Sequence, residues 1–377
     1  MSGLYIHIPF CRRKCPYCDF YSVSGQDERL AAYPRLLVKH LELARREGEG
    51  RGTFETVFFG GGTPSLLPPE AVAGVLDAVR ALFGLDPGAE VSLEANPGTV
   101  TAASLEDYRR AGVNRLSLGI QSLSQKNLAL LERIHSPQQG REAVRLARSA
   151  GFDNLSCDLM FALPGQSVEA LMEEVDRLLE LQPEHLSCYG LTAEEETPFY
   201  HLHRSGGLPL PDEETCAGMY LGLHRRLTAA GYRHYEISNY ARPGFECRHN
   251  LRYWERREYL GVGAGAHSFL ERGWGERREV PADLEYFAAA LEEGRNPGRT
   301  LELFDRCGAM SETLYLGLRT EEGVDETSFR RRFGLGVAEA FPEGVGRAGA
   351  RLTLAQGRWR LDLDGWLLFD HLISRFL

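Results

Sequence analysis

The chain has 377 residues, of which 43% are hydrophobic and 25% are charged, so it can bury a large core and is not of the disordered class. With 43 Lys and Arg against 53 Asp and Glu, the net charge is −10, which disfavours binding to nucleic acid. No apolar run approaches the ~20 residues of a membrane-spanning helix, and the first residues lack the layout of a secretion signal. We therefore expect a cytoplasmic protein that binds no nucleic acid and is not an integral membrane protein.

Short runs of β-branched and aromatic residues alternate with amphipathic segments up to about residue 240, which predicts βα units that feed a parallel sheet. The predicted strands are 4–8, 56–60, 90–94, 114–120, 154–159, 185–190 and 232–237. The predicted helices are 28–47, 69–83, 101–111, 124–134, 138–150, 167–181 and 213–230. Six or seven such units favour an α/β fold with a partial or complete (β/α) barrel. A doubly wound open sheet is the alternative.

The βα pattern ends near residue 240, where an aromatic and glycine-rich stretch begins that we interpret as an irregular covering segment. Beyond it, the sequence predicts two helices, a hairpin and a closing helix, which together resemble a small winged-helix-like α+β domain. The helices are predicted at 300–318 and 325–333, and the hairpin turns at Gln356-Gly357. The predicted division is a barrel domain at 1–240, the covering segment at 241–298, and a C-terminal domain at 299–377.

Three of the eight cysteines, Cys11, Cys15 and Cys18, form a C-x3-C-x2-C motif just after the first predicted strand. Three thiolates on one short loop can each bind one iron of a 4Fe-4S cluster, which leaves the fourth iron without a protein ligand. A zinc site is the alternative, but tetrahedral zinc uses four ligands, usually in two separated pairs, and no second pair lies nearby in the sequence. The spacing is the signature of the radical SAM superfamily, which the chain resembles, and S-adenosylmethionine (SAM) binds at the open iron in that superfamily.

Polar and glycine residues follow several of the predicted strands. The run Gly60-Gly61-Gly62-Thr63 resembles the glycine-rich SAM element of the superfamily, since consecutive glycines let a backbone approach a ligand closely. In a (β/α) barrel the carboxyl ends of the strands face the active-site mouth, although helix capping is the ordinary role of such polar residues. The chain resembles the coproporphyrinogen-dehydrogenase-like branch of the superfamily, and this resemblance implies SAM contacts at Tyr5, Gly61, Gly62, Thr63, Glu94, Gln121, Arg133 and Asp158.

Two features distinguish the members of that branch. The dehydrogenases add a fourth cysteine two residues after the third, where this chain has Phe20, so we expect no coproporphyrinogen dehydrogenase activity. Residues 249–254 carry the H-N-x-x-Y-W motif of the HemW-type haem chaperones. An imidazole beside aromatic surface can ligate haem iron, which makes His249 the candidate haem ligand. His267 is a weaker candidate. Cys247 is a candidate second ligand, with an ordinary buried thiol as the alternative.

The resemblance therefore implies a haem chaperone of the radical SAM fold that binds a 4Fe-4S cluster, SAM and haem, and delivers haem to an acceptor protein. An electron donor is a further partner if SAM is cleaved. No residue is assigned a catalytic role. The alternatives are a radical SAM enzyme that acts on a porphyrin, a radical SAM methyltransferase, and a binding module with a zinc site.

Overall fold

The structure, a computed structural model, describes residues 2–50 and 52–376. Its strands are β1 (Ser2–Ile8), β2 (Phe10–Cys11), β3 (Val23–Ser24), β4 (Phe54–Gly61), β5 (Leu85–Ala95), β6 (Arg115–Gln121), β7 (Leu155–Phe161), β8 (His185–Gly190), β9 (Arg233–Glu236), β10 (Asn239–Ala241), β11 (Tyr259–Val262), β12 (His267–Leu270), β13 (Glu276–Glu279), β14 (Arg299–Leu303), β15 (Val324–Asp325), β16 (Leu352–Ala355) and β17 (Arg358–Leu361).

Its helices are α1 (Asp27–Arg46), α2 (Pro69–Leu82), α3 (Ala102–Ala111), α4 (Gln125–Leu130), α5 (Pro137–Ser149), α6 (Val168–Leu179), α7 (Pro198–Arg204), α8 (Glu213–Ala229), α9 (Arg248–Trp254), α10 (Leu284–Glu292), α11 (Arg306–Gly317), α12 (Glu326–Phe333), α13 (Val337–Ala340), α14 (Pro342–Ala348), α15 (Leu363–Leu367) and α16 (Phe369–Ile373). None of the helices in the described part of the chain combines the length and apolar character needed to cross a membrane.

Several of these helices begin at residues that cap them. The side chains of Thr101, Ser136 and Ser167 accept hydrogen bonds from backbone N–H groups in the first turns of α3, α5 and α6, which satisfies donors that have no partner inside the helix. Gly112 ends α3 with a φ of 111°, a conformation that glycine adopts without strain. The predicted βα boundaries in this region are thus close to the observed ones.

The central part of the sheet is parallel, with the strand order β11-β1-β4-β5-β6-β7-β8. From β1 to β8 each βα strand lies beside the previous one, as in a barrel, whereas a doubly wound sheet reverses its order at a switch point. Helices α1, α2, α3 and α5 pack side by side against one face. At the two edges of this parallel part, β8 pairs with β10 and β11 pairs with β12. Because β8 and β11 do not pair with each other, the barrel is partial. This confirms the predicted α/β barrel fold.

Side chains alternate between the two faces of these strands. In β1, Leu4 and Ile6 are fully buried in the hydrophobic core under the helices. The opposite face of the sheet bears polar residues in the central strands, including Glu94 and Asp158. The interior of the partial barrel is therefore polar, while its outer wall supplies the apolar core.

Residues 241–298 contain regular elements that the sequence did not predict, namely α9, β11, β12, β13 and α10. The sheet then continues into β14, so the helix predicted from residue 300 begins only at Arg306, where Asp305 caps it. The predicted three-part division stays a prediction, and residues 1, 51 and 377 of it lie outside the described residues.

The C-terminal elements form a three-stranded sheet in the order β15-β17-β16 with α11, α12, α15 and α16 around it. Gln356 and Gly357 both have positive φ, 53° and 75°, as a two-residue hairpin turn requires, and this confirms the predicted hairpin. Trp366 packs edge-on against His234 of β9, with 4.8 Å between the ring centroids, and its indole N–H donates to the Leu318 carbonyl. The contact with His234 attaches the winged-helix-like elements to the large sheet, and the bond to Leu318 holds Trp366 against the end of α11.

Candidate functional site

The carboxyl ends of the parallel strands surround a cavity of about 510 Å³. Strand ends from β4 to β8 all line this one space, which requires the sheet to curve around it. The lining includes three cysteines and seven of the eight residues predicted to contact SAM: Cys11, Cys15, Cys18, Gly61, Gly62, Thr63, Glu94, Gln121, Arg133 and Asp158. The structure thus brings together, at the barrel mouth, side chains that are far apart in the sequence. Cys11 and Asp158 are separated by 147 positions.

Cys11 ends β2, Cys15 and Cys18 lie on the loop that follows it, and all three cysteines are free and half-buried. A hydrogen bond from the backbone N–H of Cys18 to the carbonyl of Cys15 tightens this loop. Thr63 Oγ1 donates to Cys11 Sγ at 3.5 Å, and Arg133 Nη1 donates to Cys15 Sγ at 3.6 Å. A hydroxyl and a guanidinium are therefore placed where they stabilise negative charge on two of the sulfurs.

Gly61, the last residue of β4, and Gly62 after it form a cradle that only residues without a side chain can make. A Cβ on Gly62 would lie 2.7 Å from the Phe10 carbonyl oxygen and 3.0 Å from Cys11 Sγ. A Cβ on Gly61, whose φ is 113°, would lie 2.7 Å from the His7 ring. The backbone consequently runs directly beside the cysteine loop and is open to a ligand on the cavity side.

Two carboxyl groups face the cavity from β5 and β7. Glu94 accepts a hydrogen bond from the Gly61 N–H at 3.1 Å, and Asp158 accepts one from Ser117 Oγ at 3.2 Å. Burial, and next the charge of Asp158, raise the pKa of Glu94 to about 8, and burial also raises the pKa of Asp158. Two acids held together in this way favour a ligand that brings hydroxyl donors or positive charge.

Arg133 follows α4 and reaches back across the mouth. Its Nη2 donates to the Gly119 carbonyl at 2.9 Å, while its Nε is buried and has no hydrogen-bond partner among residues 2–50 and 52–376. A buried donor without a partner is costly unless something else accepts from it. The predicted helix over 124–134 ends earlier than expected, at Leu130, and this early end frees Arg133 to turn inward.

Tyr5 is the one predicted SAM residue that does not line the cavity. It lies below Gly60, where a Cβ would be 2.9 Å from the Tyr5 ring, and its hydroxyl forms a 3.0 Å hydrogen bond with His7 Nδ1. Sequence reasoning in turn missed Tyr189 and Met160, which do line the cavity. Both stand near the carboxyl ends of β7 and β8, the same signal that singled out Asp158.

The H-N-x-x-Y-W motif forms α9, a short helix that covers the opposite, amino-terminal end of the barrel. We call α9 (Arg248–Trp254) the floor helix. The Glu90 carboxylate accepts hydrogen bonds from the backbone N–H groups of Arg248 and His249, both at 3.0 Å. Cys247, just before the helix, is fully buried and its thiol also faces Glu90. This carboxylate therefore holds the floor helix against the ends of the strands.

His249 has no solvent exposure, and both its ring nitrogens have partners. Nδ1 lies 2.8 Å from Thr56 Oγ1 and Nε2 lies 2.8 Å from the Tyr253 hydroxyl. The ring also stacks on Phe58, with 5.3 Å between centroids, and burial lowers its pKa to about 3. The structure thus does not bring His249 to the cavity or to the surface. Haem ligation by His249 stays a prediction, and it would require the ring to leave both hydrogen bonds.

Comparison with known proteins covers both halves of the chain. A family model described as "Radical SAM superfamily" matches residues 5–178, and one described as "HemN C-terminal domain" matches residues 306–368. A protein from Escherichia coli (strain K12) named "Heme chaperone HemW" is 46% identical over 100% of this chain and 98% of its own length. A protein of the same name from Bacillus subtilis (strain 168) is 36% identical over 91% of this chain and 89% of its own.

A solved structure supports the same fold. Coproporphyrinogen III oxidase from Escherichia coli, described as a radical SAM enzyme, matches with a TM-score of 0.84 over 100% of this chain and 90% of that chain. The two sequences are only 21% identical, so this match concerns the fold and not the activity.

Proposed function

Because the chain belongs to the HemW family of radical SAM proteins, we propose that it is a haem chaperone, which binds haem and passes it to an acceptor protein. The observation that carries this proposal is the match over the full length of both chains at 46% identity. It spans the cysteine loop, the floor helix and the C-terminal elements together. Phe20, which is 68% exposed at the edge of the cavity, agrees with a role other than coproporphyrinogen dehydrogenation, because no thiol stands there.

We propose that Cys11, Cys15 and Cys18 hold a 4Fe-4S cluster. The donor set fits, since each thiolate binds a different iron and the sulfurs share one side of a large cavity. Such a cluster supplies one-electron chemistry to bound SAM. Thr63 and Arg133 hold hydrogen-bond donors against two of the sulfurs that would bind the cluster.

The same cavity is the proposed SAM site. Gly61 and Gly62 offer bare backbone beside the cysteine loop, and Glu94 and Asp158 offer oxygen acceptors to hydroxyl or ammonium groups. Gln121 and Thr63 complete the polar lining, and the unpartnered Nε of Arg133 offers a donor to a carboxylate. Tyr5 contributes to the SAM site only indirectly, because its hydroxyl positions His7.

The acceptor protein, and an electron donor if SAM is cleaved, are further parts of the proposal, and the cytoplasmic location stays a prediction. An anaerobic haem titration of cluster-reconstituted protein, followed at the Soret band, tests the first step. We expect saturable binding, and transfer of the bound haem to apomyoglobin as a probe acceptor. Haem uptake no greater than that of the heat-denatured protein would contradict the proposal.

A second function is favoured by the cavity itself, which keeps the cysteines and the polar lining of a radical SAM centre. A radical SAM enzyme acting on a porphyrin would convert SAM to 5′-deoxyadenosine in the presence of its substrate. Incubation of reduced, reconstituted protein with SAM and coproporphyrinogen III distinguishes the two functions. The chaperone proposal predicts haem transfer without substrate-dependent 5′-deoxyadenosine.

A further inference from the structure

Gln121, which lines the cavity at the end of β6, has a backbone conformation that a glutamine rarely adopts. Its φ is 61°, in the left-handed region where residues with a side chain are strained. The Ser122 N–H donates to the Ile120 carbonyl at 2.7 Å, so the three residues form a γ-turn, which is rare when the central φ is positive. The chain is therefore strained at the point where β6 meets the cavity.

This turn places the side-chain amide of Gln121 beside Arg133. A Cβ on Gly119 would lie 3.2 Å from Gln121 Nε2 and 3.2 Å from Arg133 Nη2, so both groups lie against the same bare stretch of β6. Both side chains line the cavity. The amide adds an acceptor as well as donors next to a guanidinium that can only donate. The conformation of the turn thus decides where this amide is offered to a ligand.

Buried side chains hold the turn from both sides. Before it, His135 Nε2 is 3.1 Å from the Ile120 carbonyl oxygen, and this nitrogen carries a hydrogen because a carbonyl only accepts. After it, the Glu174 carboxylate accepts hydrogen bonds from Ser122 Oγ and from the Leu123 N–H. The residues on both sides of Gln121 are therefore fixed by side chains from other parts of the chain.

Glu174 is an unusual residue for its position on α6. It is only 2% exposed, and it lies on the side of the helix that otherwise buries the apolar residues Leu171, Val175 and Leu178. A buried carboxylate is costly unless it is hydrogen-bonded, and an apolar side chain would fill this position without that cost. The two hydrogen bonds to the chain after Gln121 are what the carboxylate provides here.

We propose that Glu174 is a positioning residue for the SAM site, which holds the strained turn and thereby presents the Gln121 amide to the ligand. The proposal rests on the proposed function in taking SAM as the ligand of the cavity. Glu174 is not among the described residues that line the cavity, so its effect on SAM passes through the turn. Without the carboxylate, the turn is free to relax to a negative φ, which moves the amide away from Arg133.

Anaerobic equilibrium dialysis of cluster-reconstituted protein against SAM gives the dissociation constant that tests this role. Glu174→Ala is expected to weaken SAM binding by about tenfold at unchanged iron content. Glu174→Gln keeps a side-chain oxygen that accepts hydrogen bonds, and it is expected to bind within about threefold of wild type. Glu173→Ala, at the neighbouring exposed glutamate of α6, is the matched control and is expected to bind within about twofold of wild type.

A double-mutant cycle with Gln121→Ala separates positioning from a general loss of structure. Gln121→Ala alone is expected to weaken SAM binding by about tenfold. Adding Glu174→Ala is then expected to weaken it by no more than about twofold further, because the positioned amide is already absent. Effects that multiply instead, or SAM binding by Glu174→Ala equal to that of wild type, would overturn the positioning role and leave the SAM site in place.

Ser122→Ala is the second variant, to be used if circular dichroism shows that Glu174→Ala does not fold. It removes one of the two donors to Glu174, and it is expected to weaken SAM binding by about threefold in the wild-type background and not in Gln121→Ala. Equal weakening in both backgrounds would overturn the positioning role. Failure of the wild-type protein to bind SAM saturably would instead overturn the proposed SAM site, and the positioning role with it.

Discussion

The two ends of the barrel differ in how their buried polar groups are satisfied. At the floor, Glu90 accepts hydrogen bonds from two backbone N–H groups of α9, and both ring nitrogens of His249 are bonded within the protein. At the mouth, Glu94 and Asp158 both line the cavity, and Arg133 Nε lacks a partner in the described residues. The Glu90 and His249 contacts hold the floor helix in place, whereas an unpartnered donor and two acids that border a cavity mark a binding site.

Arg115 lies between the two ends and belongs to neither network. Its side chain is fully buried, and neither Nε nor Nη1 has a hydrogen-bond partner in the described residues. Burial disfavours its charge, but Cys247, Glu90, Tyr235 and Asp158 together offset this and raise its pKa. The guanidinium therefore depends on nearby negative charge, and Glu90 supplies part of it while holding the floor helix.

The comparison predicts that the largest single effect comes from the cysteine loop. Cys15→Ser is expected to reduce iron and acid-labile sulfide from about four atoms each per chain to near background, because a 4Fe-4S cluster needs all three thiolates. The measurement is metal and sulfide analysis after anaerobic reconstitution. Cys307→Ser, at an exposed cysteine of α11, is the control and is expected to keep the full cluster. Equal iron content in both variants would show that the cluster is not bound by the cysteines at the mouth.

The next largest effect is expected at the floor. Glu90→Ala removes the acceptor of the α9 backbone and leaves Arg115 with less compensating charge, so the free energy of unfolding should fall by about 3–5 kcal/mol. Urea unfolding of ligand-free protein measures it. Glu94→Ala, the matched change at the mouth, is expected to cost far less, since that carboxyl already repels Asp158. Similar losses in the two variants would show that the ends do not differ.

The sequence predicted much of the barrel because its signals are local. The strand predicted at 185–190 and the helix predicted at 138–150 follow from residue type and spacing alone, and they are observed at His185–Gly190 and Pro137–Ser149. The mouth was predictable for the same reason, since the carboxyl end of a parallel strand fixes where Glu94 and Asp158 point. Their shared cavity follows from the barrel order of the strands.

The floor and the outer strands were not predictable in this way. Residues 259–262 pair in parallel with β1, more than 250 positions earlier in the chain, and no local pattern announces such a pairing. The strand Arg299–Leu303 lies where the sequence predicted the start of a helix. Its alternating pattern of residues is short, and all its side chains are exposed. His249 looked like a ligand because its motif is polar and aromatic. Only the positions of Thr56 and Tyr253 show that its nitrogens are already bonded.

A third, smaller effect concerns pH. The pKa of Glu94 is about 8 in the folded protein, against an ordinary value of 4.5, so the folded state binds more protons than the unfolded state between these pH values. Stability from this group is therefore lost as pH rises from about 4.5 to 8. Glu94→Gln removes that loss. The free energy of unfolding of the ligand-free variant should therefore exceed that of wild type by about 1–3 kcal/mol at pH 8, and by less at pH 5.

Urea unfolding at pH 5 and pH 8 measures this difference, and Glu106→Gln, at an exposed position of α3, is the control. Asp158 is present in both proteins, so the change with pH reports on Glu94 itself. A difference between variant and wild type that does not vary with pH would mean that the pKa of Glu94 is not raised in the folded protein.

The smallest expected effect separates the structural role of the floor from a ligand role. Tyr253→Phe removes one partner of the His249 ring and leaves Thr56 in place, which should lower the free energy of unfolding by about 1 kcal/mol. Tyr315→Phe, at an exposed tyrosine, should change it by much less. Haem affinity should be unchanged in both variants, because the floor ring is closed to solvent. Weaker haem binding in Tyr253→Phe at unchanged stability would instead make the floor helix the haem site and reverse the roles assigned to the two ends.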